Sequence, residues 1–250
     1  MRLTSWGNDL LDLLLPPGCA ACKTWLPGGG GAPLVCGRCR SRLRAASWPR
    51  CPRCHFPRGA RRVEAPDCIE CRDWPPELTA ARYAYVLEPP ADDLVHALKY
   101  EGWSELAELM GGALAALDAP GDGRYSVVVP VPTTARRMRR RGYNQAELLA
   151  RRLAWERGLR LVHALERSGE GRSQTTLAPT ERRENVRGVF AHVAGAAPLV
   201  SGADVLLVDD VLTTGATASS SATALASLGA ASVTLVAYAR ALPSGPRQGP

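Results

Sequence analysis

Apolar residues in this chain gather into short unbroken runs in its C-terminal half. Val205-Leu206-Leu207-Val208 is one such run, and residues 126–131, 159–165 and 232–238, rich in valine, leucine and alanine, also read as strands. Continuous rather than alternating hydrophobicity marks strands covered on both faces, as in a parallel sheet. Between them, residues 145–157 place leucines and alanines on one face and arginines on the other, which predicts a helix. An Ala/Ser/Leu stretch over 218–228, closed by Gly229, predicts another. The order strand, acidic pair, hydroxyl-rich loop, helix, strand is one crossover unit. Its loop falls at the carboxyl end of a strand, where open α/β sheets bind ligands. Residues 167–187 scatter Gly169, Gly171, Ser173 and Thr175 among charges, a composition suited to a mobile hood over such a site.

The N-terminus follows a different pattern. Leu10-Leu11 and Leu13-Leu14-Leu15 after Met1-Arg2 imitate a secretion signal, but Asp9 and Asp12 interrupt the apolar core and no small-x-small site follows. Residues 3–15 are therefore expected to form a short amphipathic helix in a cytoplasmic chain with reduced cysteines. No run approaches the roughly 18–20 apolar residues of a spanning helix, so no membrane insertion is expected. With 250 residues, 46% hydrophobic and 22% charged, wholesale disorder is excluded. The expected organisation is an N-terminal helix and cysteine-rich region over 1–78, an α/β domain over 79–242, and a disordered tail over 243–250.

All eight cysteines fall in Cys-x-x-Cys pairs: Cys19/Cys22, Cys36/Cys39, Cys51/Cys54 and Cys68/Cys71. Adding 32 to each of the first four gives the second four, so the region is a duplicated unit. Each hook aims two thiolates at one centre, and two hooks complete the tetrahedral shell that zinc favours. Residues 16–76 hold ten prolines and seven glycines and few runs able to build a core, so metal binding would supply the missing stabilisation. Disulfides fit poorly with a chain lacking a signal sequence, and iron–sulfur ligation uses other spacings. A thioredoxin-like centre would use one such motif in a strand–helix context. Two structural Zn²⁺ sites are expected, with sequential and cross-braced pairing both open. Each filled four-thiolate centre carries about −2 in formal charge, and the two together offset more than half of the net +7.

Asp209 and Asp210 end the 205–208 run, and Thr213-Thr214-Gly215-Ala216-Thr217 follows. Threonine hydroxyls, a glycine turn and the free amides of a helix start would cradle a phosphate monoester. Ionised carboxylates accept hydrogen bonds and suit the vicinal hydroxyls of a sugar. Phosphate on one side and diol on the other describe a ribose 5-phosphate. There is no Gly-Lys-Ser/Thr of a nucleotide P-loop and no Gly-x-Gly-x-x-Gly.

Residues 206–217 resemble the signature of the type I phosphoribosyltransferases, enzymes of 5-phosphoribosyl 1-pyrophosphate (PRPP). Three further segments resemble elements of the ComF family. They are His96-Ala97-Leu98-Lys99-Tyr100-Glu101-Gly102, then Val129-Pro130-Val131-Pro132 with Arg141-Gly142-Tyr143-Asn144-Gln145, and then Gln174, Leu177, Arg182, Asn185 and Phe190. Gly171 departs from the threonine that many members carry three residues before the glutamine. The resemblance implies a parallel phosphoribosyltransferase-like sheet with flanking helices, preceded by a double zinc ribbon. It also implies Asp209 and Asp210 as catalytic residues, and Mg²⁺ bound with PRPP. Val211, Leu212, Thr213, Thr214, Gly215, Ala216 and Thr217 would bind PRPP, with Arg136, Arg137, Arg141 and Arg182 against the pyrophosphate.

Lys99 reads equally as a phosphate ligand or a solvated helix-end lysine, and Asn144 and Gln145 as loop fasteners or helix caps. Five arginines in the six positions 136–141 are expected as a solvated face or a track for single-stranded DNA, since the family is associated with DNA uptake and its partner proteins. The chain has only 14 aromatics, and of these only Tyr143 lies near that run. His55, His96, His163 and His192 are scattered and read as packing or surface residues. Two functions follow: a phosphoribosyltransferase with an unidentified acceptor, or a non-catalytic PRPP-, nucleotide- or DNA-binding protein of competence.

Overall fold

The computed structural model describes residues 18–26, 34–58, 68–120, 125–167 and 189–242. The expected 3–15 helix, the hood from residue 168 with Arg182, and the 243–250 tail lie outside the described residues. Five strands form one sheet in the order β1 (Leu78–Val86), β7 (Ser232–Arg240), β6 (Asp204–Leu212), β2 (Val127–Pro130), β3 (Arg160–Leu161). Every neighbouring pair runs parallel. All nine residues of β7 and all four of β2 are buried, which is why apolar residues follow one another without alternation over Leu235–Ala239 and Val127–Pro130.

Each face of the sheet carries its own core. On one face, helices α2 (Ala91–Tyr100), α3 (Leu106–Ala115) and α5 (Gln145–Arg157) pack with Leu206, Val208 and Tyr238. Helix α5 buries Ala146, Leu149, Ala150, Leu153 and Ala154, the i, i+3, i+4 spacing of one helical face, and ends at Gly158 with φ +63°. Helix α3 crosses it closely. A Cβ on Gly111 would stand 2.5 Å from the Cβ of Arg152 and 3.0 Å from the carbonyl oxygen of Leu149. On the other face, α7 (Ala216–Ser227) and α6 (Ala197–Val200) pack with Val205, Leu207 and Val129.

The expected 159–165 strand is two strands. After Arg160–Leu161 the Val162 amide still donates to the Val128 carbonyl, but the chain then leaves the sheet. Leu165–Arg167 (β4) pairs antiparallel with Phe190–His192 (β5) in a separate ribbon. The acid-bearing strand is longer than its apolar run, because β6 continues through Asp209 and Asp210 to Leu212 with β7 alongside.

The cysteine repeat folds as a repeat. Cys19 N donates to Thr24 O at 2.8 Å and Cys51 N to Phe56 O at 2.9 Å. Lys23 and His55, again 32 apart, hold left-handed φ of 61° and 55°. The second hooks diverge. Cys36 caps the short helix α1 (Gly37–Arg42), whereas Cys68 accepts the amides of Cys71 and Arg72 in a turn. The two units sit on opposite faces of the sheet. Cys19 and Cys39 join the core of α2, α3 and α5, and Cys51, Cys54, Cys68 and Cys71 join that of α7. The connecting chain passes the outer side of β1, where the amides of Ala81 and Val86 donate to the carbonyls of Arg53 and Arg44. Among the described residues, no helix is long and apolar enough to cross a membrane.

Candidate functional site

The four sulfurs of Cys19, Cys22, Cys36 and Cys39 lie within 4.8 Å of one another, and so do those of Cys51, Cys54, Cys68 and Cys71. The pairing is therefore sequential, not cross-braced. Sulfur–sulfur distances of 3.8 Å for Cys22–Cys36, 3.8 Å for Cys51–Cys71 and 3.7 Å for Cys54–Cys68 suit a tetrahedron. A zinc–sulfur bond of about 2.3 Å requires edges of about 3.8 Å. The donor sets fit Zn²⁺ with no open position, the arrangement of a structural site.

The second site lies at the carboxyl ends of β2 and β6. Successive residues of a strand face opposite sides, so Asp209 lies on the α7 face and Asp210 on the α2 face. Both nevertheless border one cavity of 190 Å³, with Lys99, Arg137, Arg141, Arg167 and Thr217 around it. The Asp210 amide donates to Asp209 Oδ1 at 2.8 Å, and Lys99 Nζ meets Asp210 Oδ2 at 2.9 Å. Lys99 is thus not a solvated helix-end lysine, since Asp210 engages its ammonium at the cavity. Burial, together with the neighbouring Asp210 charge, pushes the Asp209 carboxyl up to about 8.

Gly215 opens α7 with φ +84°, and the amide of Ala216 turns toward Thr214 Oγ1 at 3.4 Å. Thr213 and Thr214 are exposed, Thr217 is half-buried and Leu212 is buried. The first turn of α7 leaves its amides without helical partners beside these hydroxyls. Opposite, α4 (Ala135–Arg141) starts at Thr134, whose hydroxyl accepts the Arg137 amide at 3.2 Å, and stops at Gly142 with φ +81°. Arg137 and Arg141 border the cavity, and Arg136 is exposed outside it. Asn144 fastens the loop rather than capping α5, its Nδ2 donating to Val131 O at 3.0 Å. Gln145 Oε1 accepts from Arg141 Nη1 at 3.0 Å.

Arg167 was not legible as a cavity residue. It ends β4 over the Phe190 ring at 5.5 Å, and burial followed by the nearby Arg137 charge lowers its pKa. Its only sequence signal is its place at the first residue of the expected hood. Trp74, just past the last cysteine, reaches the Thr-rich loop, its Nε1 donating to Thr214 O at 3.2 Å. His192, as expected, is a surface residue, with Nε2 3.0 Å from Ala224 O.

The fold and site together define a protein that joins paired zinc ribbons to a phosphoribosyltransferase-like sheet. Residues 10–73 match the family described as double zinc ribbon domain, and residues 138–246 the phosphoribosyl transferase domain. The DNA utilization protein YhgH of Escherichia coli K12 is 32% identical over 92% of this chain and 100% of its own length. The competence protein F of Haemophilus influenzae is 28% identical, over 83% of this chain and 90% of its own. Competence protein ComFC of Bacillus subtilis is 25% identical, over 73% of this chain and 74% of its own. The chain belongs to the ComF family. The ribbon match and the two cysteine clusters together support structural zinc.

Proposed function

We propose that the cavity binds PRPP with Mg²⁺ and that the protein transfers the 5-phosphoribosyl group to an acceptor. The observation that carries this reading is the convergence of Asp209, Asp210 and Thr217 on one cavity with the four cations Lys99, Arg137, Arg141 and Arg167. In this reading Thr213, Thr214 and Thr217, with the α7 amides, take the 5-phosphate. Val211, Leu212 and Ala216 shape that loop through their backbone. Asp209 and Asp210 accept the ribose hydroxyls. Arg137, Arg141 and Arg167 neutralise pyrophosphate as it leaves, and Arg136 and Arg182 are assigned to the same task. Mg²⁺ bound with PRPP beside Asp209 and Asp210 would supply further positive charge against the leaving group. A bond from the acceptor to the anomeric carbon forms as the bond to pyrophosphate breaks. The electron pair leaves with pyrophosphate, and the acceptor's proton passes to solvent.

Calorimetry with PRPP and Mg²⁺ on the wild type and on Asp209→Ala/Asp210→Ala tests the reading. Saturable binding lost in the double variant is expected, and no binding to the wild type overturns it. Pyrophosphate release across a panel of bases then separates an enzyme from a sensor.

A second reading rests on α4. It is seven residues long, buries no side chain and carries five arginines, with Arg140 and Arg141 over the Tyr100 ring at 5.5 and 4.9 Å. A cationic helix exposed over residues 135–140 suits the backbone of single-stranded DNA in a competence role. Arg139→Ala/Arg140→Ala is expected to weaken single-strand binding and flatten its salt dependence. Unchanged affinity would refute it.

A further inference from the structure

Each cysteine cluster contacts a segment adjoining the cavity, by contacts of different strength. From the first cluster, Lys23 Nζ pairs with Glu101, two residues past Lys99. Both side chains are substantially exposed, and an exposed pair of this kind is screened and contributes little. From the second cluster, Trp74 follows Cys71, and its amide donates to Cys71 O at 3.2 Å. The indole is 7% exposed, and its Nε1 holds Thr214 O. A Cβ on Gly215 would stand 2.6–2.8 Å from three indole atoms, so the ring forms the wall on which the loop turns.

Arg53, next to Cys54, secures the intervening chain. Its guanidinium donates to the carbonyls of Cys71 at 3.0 Å, Pro75 at 2.8 Å and Leu78 at 2.8 Å, and lies 5.8 Å from the Trp74 ring. The sheet supports the Thr-rich loop from below, and this strut supports it from the side.

We infer that the second zinc ribbon holds the Thr-rich loop in its binding conformation, with Trp74 and Arg53 as positioning residues, and that the first ribbon does not share this role. The consequence for ligand affinity rests on reading that loop as the phosphate site, but the ordering of the loop does not. The metal that fits the four buried thiolates fixes the Cys68–Cys71 turn from which Trp74 projects. Coupling of this kind is reciprocal in binding free energy, so a phosphate ligand on the loop also tightens metal binding at that cluster.

Amide hydrogen exchange over residues 213–217, read on the zinc-loaded full chain without ligand, tests the ordering directly. Trp74→Ala is expected to speed exchange there about tenfold, the loss of one buried hydrogen bond and its packing. Trp74→Phe restores the wall without the Nε1 donor and recovers part of the protection. Cys51→Ser/Cys54→Ser reproduces the alanine effect, whereas Cys22→Ser leaves exchange at 213–217 within about twofold. PRPP·Mg²⁺ calorimetry on the same proteins is expected to show about tenfold weaker binding for Trp74→Ala. Equilibrium competition with a chromogenic chelator is expected to need a higher chelator concentration to draw zinc from Cys22→Ser protein when PRPP is present. Unchanged exchange in Trp74→Ala, or equal effects of the two cluster variants, overturns the strut. Absence of wild-type PRPP binding overturns the functional reading alone, because the exchange result stands without ligand.

Discussion

PRPP binding should expel a proton, because Asp209 is held protonated in the free protein. Burial penalises the charged form of Asp209, and repulsion from the adjacent Asp210, paired with Lys99 at 2.9 Å, adds to it. The Asp209 carboxyl is consequently pushed up to about 8, and at pH 7 it is about nine-tenths protonated. A ribose diol donates hydrogen bonds and favours the ionised form. Binding at pH 7 should then release about 0.9 proton, falling to about 0.1 at pH 9, with affinity about tenfold tighter at the higher pH. Working above pH 7 avoids the phosphate ionisation near 6. Calorimetry in two buffers of different ionisation enthalpy measures the release. The same shift has an opposite signature in stability. A carboxyl raised in the folded state contributes its stability below the unfolded value near 4 and loses it as pH climbs toward 8. Asp209→Asn should therefore melt higher than wild type at pH 8, with the margin shrinking toward pH 4. Buffer-independent binding heats at pH 7, or an Asp209→Asn protein less stable than wild type at pH 8, would refute the argument.

Three further outcomes follow from the packing. Gly111→Ala forces a Cβ to within 2.5 Å of Arg152 Cβ, and urea unfolding should show a loss of about 1–3 kcal/mol with unchanged m-value. Asn144→Ala leaves the Val131 carbonyl without its 3.0 Å donor, and should cost about 1–3 kcal/mol while raising amide exchange through residues 131–134. Elemental analysis of purified protein should find two zinc ions per chain, and one in a Cys51→Ser/Cys54→Ser protein.

The parts of the fold legible in the sequence are those where one physical rule acts alone. Strands β6 and β7 are covered on both faces, and α5 has one buried stripe ending at Gly158; each leaves its period in the chain. Strand β1 leaves none, because Arg82 lies buried in its middle. That guanidinium is satisfied by the carbonyls of Arg53, Ala81 and Pro52, partners that only the tertiary fold supplies. The 159–165 run misleads for the opposite reason. Its leucines, valine and alanine read as a single strand, but Val193 N donates to Ala164 O and draws its second half into the β4–β5 ribbon. At the site, Asp209, Asp210 and the Thr-rich loop form one local motif and could be read directly. The Lys99–Asp210 pair, Arg167 and the Trp74 contact join residues far apart in the chain, and no local period encodes them.

The chain between the clusters also shields the sheet, so metal loss should have a consequence beyond local unfolding. Strand β1 is the edge of a five-stranded parallel sheet, and an uncovered edge offers unpaired amides and carbonyls to another chain. Here the amides of Ala81 and Val86 are taken by Arg53 O and Arg44 O at 2.8 Å each. Both acceptors lie in the segment running from the first cluster through the second. Arg44 is further tied by its ion pair to Glu88, but that pair is exposed and cannot hold the segment alone. Arg82 and Tyr83 of β1 also hold the carbonyls of Pro52, Arg53 and His55, and those residues are themselves set by the second cluster's Cys51–Cys54 hook. Stripping zinc should free it, expose the β1 edge and drive self-association at concentrations where the metal-loaded protein does not change mass. Light scattering during chelation, followed by zinc return, measures this. Replacing Ala81 with proline removes the donor that a pairing chain would use, so it should reduce association of the stripped protein. A stripped protein whose mass stays constant would show that the edge is protected by something other than the zinc-held segment.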